Sequence, residues 1–567
     1  MSQRKKRPRT ARRAAERKLL KQAMRAELRG RRVTPTIEGF EAALLNRGHD
    51  GIAEALIARH NQRMQRMVDF GQILQTSGLP LLSSFIPLTV AATELGARYK
   101  RPPFSPGSTW PDHLSWGLDS IAAAVRLMLS LQPIGASIIA RTQLERWSSN
   151  LEFNLNAPQL TGEDTVTWLN RIWSTTGVLP NPTVRVGDIF GSLSELLHGR
   201  GSLLPLVWLD VADVTDPPTS EHLILLEEIS NSLIVSLSRI QTCLATAAAE
   251  KKWDVLANTI AGLRLVSPAH GLLSNVRALL WPLNPTFFQL PSVKENLGAL
   301  AAGHLRILSA LKASKDPKEP FEAWPAFSLG AQRFRAYAVA SIAYETERKK
   351  LGEISQEDGI ERLSTEAVLA GEMAAILAMW LRDDPDRSSV ANAFAVCASG
   401  LRSAEWLWLE DDPRAMGCLR CVVEQLARVR TWRLRPERAL KIERNPNSTP
   451  RDWIEGAGWR RLTLLNRALG EFAHGSAGAK WHLALDALVA LQKDAENDDI
   501  AQYTGRTHAL EVTIFLLAVE CAAWADTFSS KLGDAYRKVV RITDSQADRA
   551  IEDLLNHAWE KRGTPVR

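Results

Sequence analysis

Five cysteines in 567 residues leave this sequence without a disulfide framework. Cys243, Cys397, Cys418, Cys421 and Cys521 are scattered, and their scarcity points to a reducing, cytoplasmic compartment. Cys418 and Cys421 do form a C-x-x-C. It lies inside the helix-like run GCLRCVVEQLARV, and no second C-x-x-C or histidine pair completes a zinc site, so the two read as semi-buried helix cysteines. His482 and His508 likewise have no partners at metal spacing. Neither a metal nor another cofactor is expected. Long apolar runs are lacking too. Gly78 to Val90 is interrupted by Pro80 and Pro87, and Glu511 to Trp524 suits only a buried helix, so no membrane span is expected. The basic N-terminus leads into no apolar segment, which leaves no secretory signal to expect. Walker and Rossmann glycine patterns and a G-x-S-x-G elbow are missing, which argues against nucleotide hydrolysis and α/β-hydrolase chemistry. No stretch shows convincing two-residue alternation. The expected fold class is all-α, built of multi-helix bundles.

What is present is ordinary for a globular chain, with 45% hydrophobic and 23% charged residues. The length exceeds one core and suggests several units. Charge is uneven. In residues 1–32, fourteen Lys and Arg face only Glu16 and Glu27, so this segment carries +12 of a whole-chain +7 and the rest carries −5. Arg4, Lys5, Lys6, Arg7, Arg9, Arg12 and Arg13 head this arm, whose charge suits nucleic acid through counterion release or serves only to solubilise. The eighteen tryptophans, Trp380, Trp406 and Trp408 among them, sit in apolar helical contexts and read as core.

The chain divides by its turn chemistry into a basic arm (1–35), an N-terminal helical region (36–112), a helical bundle (113–252), a connecting helical region (253–390), a second bundle (391–532) and a C-terminal helix and tail (533–567). Ile37 to Gln75 reads as two helices split at NRGHDG. Leu118 to Asn150 reads as one helical stretch. Ile189 to His198 and His222 to Ala248 follow. The second half holds helices over 366–382, 391–410, 415–433, 460–474 and 506–532, besides 327–349, 480–494 and 545–561.

One stretch combines the residue types of phosphodiester chemistry. Arg460, Arg467 and His474 recur every seven residues, close to two helical turns, and so share one stripe of a helix. Arg461 stands beside the first. Leu462, Leu465, Leu469 and Phe472 form the apolar stripe that anchors it. Glu471 precedes His474 by one turn, placed to orient an imidazole or to make an ordinary i,i+3 pair. Arginine offers a planar fork for phosphate oxygens, and histidine exchanges protons near neutral pH.

An echo lies upstream. Glu195-Leu-Leu-His198-Gly199 matches Glu471-Phe-Ala-His474-Gly475. Ahead of each comes Gln-Leu-x-Arg, at Gln143 and Arg146 and again at Gln425 and Arg428, and a proline precedes each of these. The order suggests internal duplication. Gly191 stands where Arg467 would repeat, so Glu195 and His198 belong to a degenerate copy, with Arg200 two residues beyond.

Arg467, six residues and His474 resemble the R-x4-6-H motif of the HEPN superfamily, all-α proteins that include ribonucleases of toxin–antitoxin, abortive-infection and CRISPR systems. The resemblance covers Arg460 to Gly475 and, more loosely, 391–528. It implies metal-independent RNA cleavage where two such domains face each other, Arg467 holding the scissile phosphate and His474 shuttling the proton. Family members often place a polar residue after the arginine, where this chain has Ala468. The expected function is an endoribonuclease of a bacterial defence (phage defence) or stress system, with RNA and a second bundle or copy of itself as partners. The alternatives are a non-catalytic interaction or scaffold protein, and a nucleic-acid-binding accessory protein working through its arm.

Overall fold

The structure, a computed structural model, describes residues 35–82, 110–175, 185–212, 219–268, 360–409, 414–445, 448–459, 462–473 and 501–541, with a few isolated positions between them. Arg4 to Arg13, Arg460, Arg461 and His474 lie outside the described residues, as do the side chains of Arg467 and Glu471 and the stretches 327–349, 480–494 and 545–561.

The described residues form an all-α, multi-helix fold. Local chemistry sets the helix ends. α1 (Ile37–Arg47) opens on Thr36, whose hydroxyl accepts from the Gly39 amide at 3.0 Å, and closes on Gly48 at φ 64°; α2 (His49–Thr76) starts at once beyond it. The region read as one helix over 118–150 is two, α3 (Trp110–Leu129) and α4 (Pro133–Leu155). Pro133 has no amide hydrogen to continue α3 and is well suited to the first turn of α4, and Leu131 makes the turn at φ 54°. α5 (Thr165–Ser174) is capped by Asp164, and α8 (Ser220–Glu250) by a reciprocal Thr219–His222 box. Between these come α6 (Val186–Leu197) and α7 (Leu204–Val211), the latter unread in the sequence. After α9 (Asp254–Ala261), a small antiparallel ribbon pairs β1 (Pro80–Leu82) with β2 (Val266–Pro268).

The second half holds α10 (Ile360–Leu381), α11 (Ser388–Leu409), α12 (Ala415–Leu434), α13 (Pro436–Arg444), α14 (Pro450–Gly456), α15 (Leu462–Ala473), α16 (Ala501–Phe528) and α17 (Ser530–Val539). α13 and α14 were not anticipated; each is short and begins on a proline, and Thr449 and Asp452 box the second. Within α10, Leu363–Leu381 has the length and apolar character of a membrane span, yet 67% of its most apolar window is buried, as a core helix requires.

The packing has a repeated plan. α4 lies against α3, α6 and α8; α12 lies against α11, α15 and α16. α3 meets α8 as α11 meets α16, and a short helix folds back on each long last one, α9 on α8 and α17 on α16. Thus α9 packs with the first bundle and α10 with the second, both from the region read as a connector. The bundles meet where α4 crosses α11, so closely that a Cβ on Gly135 would stand 2.6 Å from Ser403 Cβ.

A buried ionic cluster ties α2 to both halves. Arg63 bonds Glu372 of α10 at 2.7 Å and Asp210 of α7 at 3.1 Å, and Arg402 of α11 shares that Asp210 oxygen. Arg59 also pairs with Glu372 and donates to the Val211 carbonyl. Burial works to raise the Glu372 carboxyl, but Arg63 and Arg59 overcome it and hold the group well below the usual carboxylate range. Such a cluster costs desolvation, so its role is to fix the mutual placement of α2, α7, α10 and α11 more than to add net stability.

Candidate composite site at the His198–Gly199 turn

α6 presents an apolar stripe of Val186, Phe190, Leu193 and Leu197 to the core and ends on a residue pair suited to stopping a helix. His198 is the C-cap. Gly199 follows in the left-handed region at φ 66°, which a side chain would disfavour. The Arg200 amide bonds the Glu195 carbonyl at 3.1 Å and the Gly199 amide that of Leu196 at 2.9 Å, together a Schellman closure.

That closure does not occupy the carbonyls of Leu197 and His198. Both are taken by α12, from the other bundle. Gln425 Nε2 donates to Leu197 O at 3.0 Å, with Cys421 Sγ at 3.4 Å, and Arg428 Nη1 donates to His198 O at 2.9 Å. Arg428 is itself held by Glu443 of α13 and lies over the Trp453 ring, 5.7 Å from its centroid. The Gln-Leu-x-Arg segment of the second bundle is therefore bound to the Glu-x-x-His-Gly segment of the first.

The same face of α12 carries α15. Arg420 Nε pairs with Glu424 at 2.7 Å while its Nη1 approaches the Gly470 carbonyl at 3.4 Å, and Asn466 Nδ2 donates to Glu424 at 3.3 Å. α15 buries Leu462, Leu465 and Leu469 as its spacing predicts, and its backbone includes Arg467 and Glu471. Arg420 and Glu424 stand between the two motif-bearing helices and act on His198. Burial lowers the His198 pKa, Glu424 opposes it, and Arg200, Arg141 and Arg420 add to the lowering. The half-buried imidazole is neutral at pH 7, the form that accepts a proton. Arg141 pairs with Glu145 at 3.0 Å and lies over Phe190; Arg200 is exposed and makes no ion pair among the described residues.

Glu195 does not orient the imidazole here. Its carboxylate covers Gly201, where an added Cβ would come within 2.6 Å of it. Sequence reading also missed Arg141, Arg420 and Glu424. The i,i+4 spacing of Arg420 and Glu424 was visible, but nothing local marks which helix end they face. Cys418 and Cys421 are fully buried in α12 instead of semi-buried, and burial pushes both thiols up, so neither is a thiolate. Among the described residues no group of His, Cys, Asp and Glu has the makings of a metal site.

No family model, curated protein or solved structure matches this chain.

Proposed function

We propose that the protein is a cytoplasmic endoribonuclease of a bacterial defence or stress system, with one composite site formed by its two bundles. The observation that carries the reading is the shared face of α12, which binds the His198 turn of one bundle and α15, the helix of Arg467 and Glu471, of the other. In this reading the two bundles stand for the two domains that HEPN-like cleavage needs face to face.

In this reading Arg467 grips the scissile phosphate and stabilises charge as it develops. His474 takes the 2′-hydroxyl proton and returns one to the leaving oxygen, with Glu471 orienting it. The His198 half, where Gly191 replaces the arginine, contributes a neutral imidazole and the cations Arg141, Arg200 and Arg420 to the rim along which a phosphate backbone runs. Cleavage by purified protein in excess EDTA, with Arg467→Ala and His474→Ala alongside, tests it. Wild-type cleavage leaving 2′,3′-cyclic ends, lost in both variants, is expected. No cleavage, or equal cleavage by all three, overturns it.

A second reading, a non-catalytic interaction protein, is favoured by a different observation: what Gln425 and Arg428 bind at the His198 turn is its main-chain oxygens, which fixes shape without needing the imidazole. A scaffold keeps its partners and its thermal stability in His474→Ala. A third, a nucleic-acid-binding accessory protein, draws on the +12 arm. Deleting residues 1–32 would then remove most of the dependence of RNA affinity on salt.

A further inference from the structure

The stretch 428–435, at the end of α12, holds four arginines and no acidic residue. Arg428 is committed to the His198 turn; the other three gather around the end of α14. Glu520 of α16, fully buried, pins two of them. It pairs with Arg430 and takes a two-pronged bond from Arg433, Nε at 2.9 Å and Nη2 at 3.0 Å. Arg430 also donates to the Ala457 carbonyl at 3.1 Å, and Arg435 to that of Gly456 at 3.2 Å. Among these groups three positive charges meet one negative, and the excess lies open to solvent. Arg430 and Arg433 keep 26% and 22% of their side chains exposed, and Arg435 is exposed. Nη2 of Arg430 and Nη1 of Arg433 make no bond among the described residues. Guanidinium donors held in place, in excess of the local anions, suit a phosphate. A tie of α12 to α16 is already made by Arg433, whose fork takes both Glu520 oxygens; Arg430 is surplus to it.

An aromatic ring adjoins these cations. Trp459 is half-buried and has the Arg430 guanidinium over its ring, 5.1 Å from the centroid. Gly458 beside it turns at φ 80°, and a Cβ there would meet nothing within 4 Å, so the turn opens on free space. α15 runs antiparallel to α12: Gly470 lies by Arg420, Asn466 by Glu424, and Trp459, just before the helix, by Arg430. Arg420 and Arg430 stand about 15 Å apart along one helix. A strand of a few nucleotides spans that distance.

We propose that Arg430, Arg433 and Trp459 form a subsite for single-stranded RNA, the guanidinium groups holding a backbone phosphate and the indole taking a base. A duplex keeps its bases stacked on one another and offers none to the indole. The inference rests on RNA being the ligand of the reading above, and not on its cleavage.

Binding of fluorescein-labelled oligoadenylate by the full-length chain in excess EDTA, followed by anisotropy at several salt concentrations, tests it. A matched RNA duplex serves as the comparison. Trp459→Ala should weaken binding of the single strand about tenfold and leave duplex binding and the salt slope alone. Arg433→Gln should weaken it several-fold and lower the salt slope by about one. The basic arm contributes alike to every variant. Unchanged affinity and slope in both variants overturn the proposal, as does a loss in Trp459→Ala that is equal for strand and duplex. Should either variant fail to fold, wild-type protein photo-cross-linked to thiouridine-containing RNA decides. Adducts within 429–435 or 456–459 support the subsite, and adducts only elsewhere overturn it. A wild-type protein that binds in this way and cleaves nothing overturns the cleavage reading alone. One that cleaves while Trp459→Ala and Arg433→Gln bind as wild type sinks the subsite alone.

Discussion

Arg428 donates to the main-chain oxygen of His198 across 230 residues of sequence, at 2.9 Å. A helix C-terminus leaves carbonyls without amide partners, and here a guanidinium from another bundle completes one of them. The bond joins a side chain to a backbone atom. It therefore depends on the glycine that shapes the turn as much as on the histidine it passes through.

Gly199→Ala tests that dependence. The new Cβ would meet left-handed strain and stand 3.3 Å from both Arg428 Nη1 and Gln425 Oε1. Gly162, at φ 83° with nothing within 4 Å, isolates the strain alone. Gly162→Ala should cost about 1 kcal/mol, and Gly199→Ala roughly 1–2 kcal/mol more for the disturbed charged bond. Urea unfolding midpoints of the two variants decide it; equal shifts would show that the clamp is unperturbed.

The meeting of the two bundles at α4 and α11 predicts opposite signs for two helix glycines. A Cβ at Gly135 would fall 2.6 Å from Ser403 Cβ and 2.9 Å from Leu127 Cδ1, so Gly135→Ala should destabilise by about 1–3 kcal/mol. At Gly371 the nearest atom is 3.9 Å away, and Gly371→Ala should stabilise by about 0.5–1 kcal/mol. Thermal melts of both variants provide the comparison.

Glu372→Gln removes the anion shared by Arg59 and Arg63 and should destabilise by about 3–5 kcal/mol, since two buried cations lose the carboxylate between them and Arg63 keeps only Asp210 as an anion. The pH dependence follows from the depressed folded-state value. Glu372 stays ionised in the fold, whereas the unfolded carboxyl takes up its proton in the ordinary range. The unfolded chain then binds more protons, so wild-type stability falls as the pH drops below about 4.5. Denaturant titrations between neutral and acid pH should show a shallower fall in the variant.

His198 should titrate below the ordinary imidazole value of 6.5. As pH falls through that value the unfolded imidazole charges first, so His198 subtracts from stability there and subtracts nothing well above it. Glu424 is the group holding the value up, and Glu424→Gln should lower it further. Imidazole nitrogen shifts, assigned by comparison with His198→Gln, report both. An upward move in Glu424→Gln would remove Glu424 from the electrostatics of the turn.

Much of the secondary structure was legible because its causes are local. Thr36, Asp164 and Thr219 cap helices through bonds three residues long, and the apolar spacing of α15 buries Leu462, Leu465 and Leu469 as written. The His-Gly pair marks a helix end for the same reason: only glycine takes the left-handed step without strain. The break at Ser130 to Gln132 was missed because the apolar periodicity runs on across it, and α13 and α14 because each is too short to show a period. What the tertiary structure alone decided is partnership. Nothing local tells Arg63 that its anions stand 147 and 309 residues away, on α7 and α10. Nor does the Gln-Leu-x-Arg repeat say that its second copy closes the helix end of the first, because its acceptors are main-chain carbonyls that every residue carries alike. Their availability is set by where a helix stops, and their choice of donor by which helix is packed beside them.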